Sequence, residues 1–330
     1  MADAAGASRL PRHEFVYLIL SHGRTQQLFR LLRTLRAASP SAAIVLHHDA
    51  KSLPLEPAAL VQIGGVYLVE PRVAVYWGDE SQMRALLAAL TYLQQRIDFS
   101  WVSVISGQDY PLRSIEAIED DLRRSPHDAY VKAAPVADGP YRARYFMRYR
   151  RLPRLPHYYR LPRRLRKWLR SAREHLNRGQ SLVRFEGGVR GTPLQMGFRA
   201  RKHPFTGDFV CYKGSDWFTL SRHAVAYLLS FNRDRPDVTE HYLATYMASE
   251  SYFQTVLLNS GTLRVCDDNR RYIRWDATKL AHPRTLTMAD LGEMIDSGKD
   301  FGRKFDADVD TAVLDALDRI ILRQQPQDQS

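Results

Sequence analysis

The chain has 330 residues, a formal net charge of +12 and an ordinary globular composition, 45% hydrophobic and 25% charged. That length buries a substantial core as one large domain or two small ones, and the charge suits an anionic partner: nucleic acid, an acidic membrane surface or a phosphorylated small molecule. Cys211 and Cys266, far apart, exclude a disulfide framework or a Cys-x-x-Cys zinc site, and no apolar run reaches the roughly 18 residues of a membrane span, so a cytoplasmic protein is expected.

Residues 1–13 are small and polar and read as a disordered tail. Phe15–Leu20 is a continuous apolar run of the kind that forms a buried parallel strand, too short and wrongly flanked for a signal peptide. A helix follows, with Leu28, Phe29, Leu31, Leu32 and Leu35 as its apolar stripe. Ala43–His47, Gly65–Val69 and Trp101–Ile105 read as further strands, with a helix from about Glu80 to Gln95. This alternation predicts a parallel α/β sheet with right-handed crossovers, in which ligands bind beyond the carboxyl ends of the strands. His48-Asp49, Trp77-Gly78 and Gln108-Asp109 all stand at such ends, so a nucleotide-type pocket is expected in the first 110 residues.

From Tyr141 to Arg173 arginines crowd together with interleaved aromatics and no acidic residue. Such a segment steers an anionic substrate, lies on anionic lipid, or is a solvated insertion. No nucleic-acid motif accompanies it, so nucleic acid is not expected. Further on, short strands bracket Gly214-Ser-Asp216, and Ala224–Leu229 reads as a helix. Another helix is expected from Glu250, with Tyr252, Phe253, Val256 and Leu257 at helical spacing. Thr262–Cys266 and Tyr272–Trp275 read as strands, and a terminal helix carries Val313, Leu314, Leu317, Ile320 and Ile321 before a frayed end, 323–330.

Several chemistries lack their residues. There is no phosphate-binding Gly-x-x-x-x-Gly-Lys loop, no Gly-x-Gly-x-x-Gly after a strand and no Gly-x-Ser-x-Gly elbow. His47 and His48 are strand neighbours, which point to opposite faces and cannot share a metal. Asp306, Asp308 and Asp310 are read as acids favoured by the start of the terminal helix. The central strand ends in Ser106-Gly-Gln-Asp109, one carboxylate where a metal-held diphosphate needs a pair. Arg303-Lys304 could supply that positive charge instead. On position alone Glu250 is an ordinary first-turn carboxylate; Asp216 upstream and Arg303-Lys304 downstream suggest a site.

Taken as an ordered set, these segments resemble glycosyltransferase family 14, the core-2/I-branching β-1,6-N-acetylglucosaminyltransferases and peptide O-xylosyltransferases. The matching pieces are Tyr17–His22, His47–Ser52, Val75–Gly78, Ser106–Arg113, Gly214–Phe218, Ser249–Leu257 and Phe301–Phe305. Asp216-Trp-Phe218 and Glu250-Ser-Tyr-Phe253 are most similar to the xylosyltransferase branch, in a bacterial-type member.

The resemblance implies a GT-A type α/β fold with a mostly parallel central sheet flanked by helices. It implies one domain over 14–322: a nucleotide-binding half (14–135), the Arg-rich insertion (136–205) and an acceptor or catalytic half (206–322). It further implies an inverting, metal-independent transfer from a UDP-sugar, xylose or N-acetylglucosamine, with no cofactor. Glu250 would be the general base, and Asp216 would help hold donor and acceptor. Ser21, Asp49, Val75, Tyr76 and Trp77 would surround the uridine, with Trp217 near the sugar and Arg303 and Lys304 on the diphosphate. His282 falls where the xylosyltransferases carry a Ser before Pro, and Gly302 replaces a usual Ala. The acceptor would be a glycan, a lipid-linked group or a protein. The animal members' extra C-terminal domain, cysteine pairs and anchor have no counterpart, which argues against a proteoglycan-type acceptor. Peripheral contact with an anionic membrane through 141–173 is the accompanying expectation. The alternative from another class is a non-enzymatic polyanion-binding module using the same segment.

Overall fold

A computed structural model of the protein describes residues 10–137, 140–152, 161–179, 182–187, 193–275 and 283–322. The first half alternates as its periodicity predicts: β1 (Arg12–Ser21), α1 (Thr25–Ala38), β2 (Ala43–His48), α2 (Pro57–Ile63), β3 (Val66–Leu68), α3 (Ser81–Arg96) and β4 (Asp98–Ser106). β1 starts before the apolar run, because Arg12 and His13 pair with Asp98 and Phe99 of β4. Arg12 and His13 therefore belong to the sheet and not to a tail. α2 has no sequence counterpart above. It is short, begins on Pro57, and buries only Leu60.

Next come β5 (Asp109–Pro111), α4 (Ile115–Arg123), β6 (Ala129–Tyr130) and β7 (Ala133–Pro135). The Arg-rich segment holds α5 (Pro140–Tyr145), β8 (Met147–Arg151) and α6 (Arg163–Gly179), followed by β9 (Val183–Glu186) and β10 (Gln195–Arg199). The remainder is β11 (Tyr212–Gly214), β12 (Thr219–Ser221), α7 (Arg222–Asp234), α8 (Pro236–Tyr242), α9 (Ser249–Leu258), β13 (Val265–Cys266), β14 (Arg271–Ile273), α10 (Leu291–Asp296), β15 (Phe301–Arg303) and α11 (Ala312–Leu322).

Among the described residues the main sheet has the order β13-β6-β12-β4-β1-β2-β3. β1 is parallel to β2 and β4, β2 to β3, and β6 to β13; only β12 runs against its neighbours β4 and β6. The sheet is thus mostly parallel, not wholly so. β12 leaves the Asp216 loop at the carboxyl edge of the sheet and must run back from there, with no crossover helix to reverse it.

Alternation along β1 explains the two-sided core. Val16 and Leu18 pack with α3, α7 and α9, whereas Phe15, Tyr17 and Ile19 pack with α1, α4 and α11. Both sets are nearly fully buried, which is why β1 reads as an unbroken apolar run. Truncating a residue such as Leu18 would cost about 2–5 kcal/mol.

Two small sheets bring distant segments to the carboxyl edge. β15 pairs with β14 and with β5, setting Arg303 opposite Asp109. β11 pairs with β7 and is stitched to α9: the Tyr212 N–H donates to Thr255 Oγ1 at 2.9 Å, and Ser251 Oγ donates to the Tyr212 carbonyl at 2.5 Å. The described parts of the Arg-rich segment contribute β8, which joins the antiparallel sheet β8-β10-β9, and α6, which lies against β9. No described helix is long and apolar enough to cross a membrane.

Candidate active site

The cleft at the carboxyl edge is lined by Trp77, Gly78, Asp79, Gln82, Asp216, Met247, Ser249 and Glu250. Three expected residues, Trp77, Asp216 and Glu250, therefore meet in one place. The loop after β3 delivers Trp77; Gly78 takes φ +88° and faces the Tyr246 ring, where a Cβ would come within 2.7 Å of it. The Gly78 carbonyl accepts from Met247 N–H at 3.0 Å, tying this loop to the start of α9. Met247 itself is in the left-handed region at φ 57°, a strained turn that aims the first residues of α9 into the cleft.

Glu250 is not a helix cap. No side chain caps α9, and the carboxylate instead stands 3.5 Å from Lys213 Nζ. Burial raises its pKa above the ordinary carboxylate range, against the pull of Lys213 and Arg144. Asp216 accepts a hydrogen bond from Gln82 Nε2 at 2.8 Å, while its second oxygen is buried without a partner among the described residues. Burial, and then the neighbouring Glu250 charge, push Asp216 up to about 7. Lys213 and Arg144 favour the ionised form of Glu250 against its burial, and the two carboxyl groups titrate as a coupled pair.

The other expected donor residues lie along the strand ends beside this cleft. Asp49 Oδ1 accepts from the N–H groups of Lys51 (2.9 Å) and Val75 (3.1 Å). Burial works against its ionisation, but these N–H groups and the Lys51 ammonium hold its pKa below the usual value. Asp49 thus fixes the Val75–Trp77 loop. Lys51 packs 4.4 Å over the Tyr76 ring. Ser21 Oγ bonds His48 Nδ1 at 2.8 Å, and His47 Nε2 accepts from Val73 N–H at 3.0 Å, so both histidines are structural. Ser21 lines a second hollow with His22, Arg24 and Ser106–Gln108.

Arg303 lies 3.2 Å from Asp109 Oδ1 and stacks 4.4 Å over the Trp217 ring. Asp109 in turn accepts from the Ser106 N–H and hydroxyl, both at 2.8 Å, so it is spent on fixing this turn and Arg303. Lys304 is different: among the described residues no carboxylate lies within ion-pair distance of its ammonium. Burial, then the Arg303 and Arg24 charges, lower its pKa. Burial lowers the His22 pKa too; the Asp49 carboxylate opposes this, and Lys304, Lys51 and Arg24 act with burial. Arg24 ion-pairs Asp306, and Asp310 Oδ1 accepts from Val313 N–H at 3.2 Å; of these acids only Asp310 serves α11. His282 lies outside the described residues.

Sequence reading missed Gln82, Ser249 and Lys213 as site residues. Gln82 had a signal, since it opens a helix directly after a strand-end loop. Lys213 had none, because only the β11–α9 contact brings it to Glu250.

A family model described as "Core-2/I-Branching enzyme" matches residues 15–166 and 180–295. The chain is 26% identical to beta-glucuronosyltransferase GlcAT14B of Arabidopsis thaliana, over 93% of this chain and 65% of that protein. It is 25% identical to human xylosyltransferase 2, over 93% of this chain but only 34% of that one. The galactosyltransferase LgtC, solved with donor and acceptor sugar analogues, matches at TM-score 0.40 and 9% identity, covering 88% of this chain and 86% of that chain. The fold class rests on sheet order and helix layers, not on that match: a mostly parallel, helix-flanked sheet of the GT-A type. The extent of the family match, carried over Trp77 and Asp216 to Glu250, shows that the chain belongs to the core-2/I-branching enzyme family, glycosyltransferase family 14.

Proposed function

We propose that the protein is an inverting glycosyltransferase that moves a sugar from a UDP-sugar to an acceptor hydroxyl. Glu250 takes the hydroxyl proton as that oxygen attacks the anomeric carbon. The bond from that carbon to the diphosphate oxygen breaks, and UDP leaves with the electron pair from the opposite face. Asp216, held by Gln82, donates to a sugar hydroxyl, and Trp77 and Trp217 border the sugar and base. The observation that carries this reading is the unequal carboxylate pair. Glu250 is flanked by Lys213 and Arg144, and Asp216 is pushed up to about 7 in the same cleft.

Lys304, with Arg303 beside it, offers fixed positive charge to the departing diphosphate. The single carboxylate at the central strand end, Asp109, is engaged by Ser106 and Arg303, which is the reason for assigning that task to the cations. Similarity to a beta-glucuronosyltransferase and a xylosyltransferase favours a glucuronosyl or xylosyl donor over N-acetylglucosamine. The acceptor class is a glycan, a lipid-linked group or a protein.

The test is UDP release from UDP-xylose, UDP-glucuronic acid and UDP-N-acetylglucosamine, with and without EDTA, beside calorimetry with UDP. Binding and EDTA-resistant turnover of one donor are expected. Failure to bind UDP or turn over any UDP-sugar would overturn the reading. Loss with EDTA and recovery with Mn²⁺ would overturn its metal-free part.

A further inference from the structure

Helix α6 is laid down with its apolar side away from the protein. Arg166, Arg173 and Asn177 make up the side turned inward: Asn177 Nδ2 donates to the Phe185 carbonyl at 2.8 Å, its Oδ1 accepts from Phe185 N–H at 2.9 Å, and Arg173 bonds the Gly187 carbonyl. Leu165, Trp168, Leu169 and Leu176 recur at helical spacing and are 40%, 64%, 36% and 43% exposed. A helix of a soluble domain ordinarily buries such a stripe and exposes the polar side. The rest of the exposed surface of α6 is basic, with Arg163, Arg164, Lys167 and Arg170 against a single acid, Glu174.

We propose that α6 is an interfacial helix that docks this protein on an anionic lipid bilayer. Leu165, Trp168, Leu169 and Leu176 would sit at the headgroup–acyl boundary, and the flanking cations would meet the lipid phosphates. Two features favour lipid over other partners. A polynucleotide rewards the cations but leaves the leucine stripe in water. A second copy of the same face would set two rows of cations against each other. A bilayer of acidic lipid satisfies both halves of the helix at once.

The site connects to the cleft. β8 and β10, in the sheet that receives α6, supply Arg151 to Asp79 at 2.5 Å and the Gln195 amide to the Gly78 carbonyl at 3.3 Å. Docking would therefore hold the cleft beside the membrane, as an acceptor carried at a lipid surface requires. The proposal stands whether or not the donor assignment does.

The experiment is sedimentation of the full chain with vesicles of phosphatidylcholine alone or mixed with phosphatidylglycerol, beside binding to single-stranded DNA. The wild type should partition onto the phosphatidylglycerol vesicles and bind them at least about tenfold more weakly at high salt. Trp168→Ala with Leu169→Ser should lower partitioning by about tenfold or more, with an unchanged melting temperature because both side chains are exposed. Arg164→Glu with Lys167→Glu should abolish the preference for acidic lipid. Wild-type protein that stays in solution, or an apolar variant that binds vesicles as well as wild type, would overturn the proposal. So would DNA binding that outcompetes vesicles and survives in the apolar variant.

Discussion

The Lys213 ammonium stands 3.5 Å from the Glu250 carboxylate, brought there by the bonds that join β11 to α9. Burial raises the Glu250 pKa while Lys213 opposes it. Activity that needs ionised Glu250 is lost as pH falls through its pKa. Removing the cation raises that pKa further, so Lys213→Met should move the acid limb of kcat/KM upward by about half to one pH unit. An unmoved or lowered limb in the pH profile would show that Lys213 does not act on the base.

Asp216 gives a prediction of the opposite kind, in stability. Its folded pKa of about 7 lies above the unfolded value near 3.8. Between these values the folded state holds more protons, so stability falls as pH rises from about 4 to 7. Asp216→Asn should flatten this slope. Relative to wild type, the variant should gain about 1–2 kcal/mol between pH 5 and pH 8, a figure lowered for the partial exposure of the side chain. Urea titrations at the two pH values read the difference directly.

Lys304 and Arg303 should behave differently despite being neighbours. Arg303 is engaged with Asp109 and Trp217, whereas no described carboxylate pairs with Lys304. Lys304→Ala should weaken UDP binding by about 10- to 100-fold with little change in melting temperature, since a charge-assisted phosphate contact is worth about 1.5–3 kcal/mol. Arg303→Ala should lower both. Calorimetry and thermal denaturation on the two variants separate the roles.

Gly214 marks where the backbone leaves no room. A Cβ there would come 2.3 Å from the Lys132 carbonyl oxygen, 2.8 Å from the Ala133 Cβ and 2.9 Å from the Gln254 Cγ. Gly214→Ala should destabilise the protein by about 1–3 kcal/mol, seen as a lowered midpoint in urea. It should also reduce activity, because Asp216 follows two residues later.

The sheet was legible because its strands are buried on both faces: the runs at Phe15, Ala43 and Trp101 carry that signal without ambiguity. What stayed hidden was set by tertiary pairing. β15 is three residues long and exists because Phe301–Arg303 pairs with β5 and β14. The direction of β12 follows from where its loop starts. At the site, Glu250 was visible as a helix-start carboxylate, but its partner Lys213 lies 37 positions away and is joined to it only by the fold. The Arg-rich segment displayed its charge in the sequence. That its leucines and Trp168 face outward depends on how Asn177 and Arg173 seat α6 on β9.

The central claim is that Glu250 is the base. Glu250→Gln keeps the size of the side chain and removes its capacity to take a proton. With the UDP-sugar that wild type turns over, the variant should retain donor affinity by calorimetry and lose about 10²–10⁴-fold in kcat. Turnover near the wild-type rate, with donor still bound, would contradict the account.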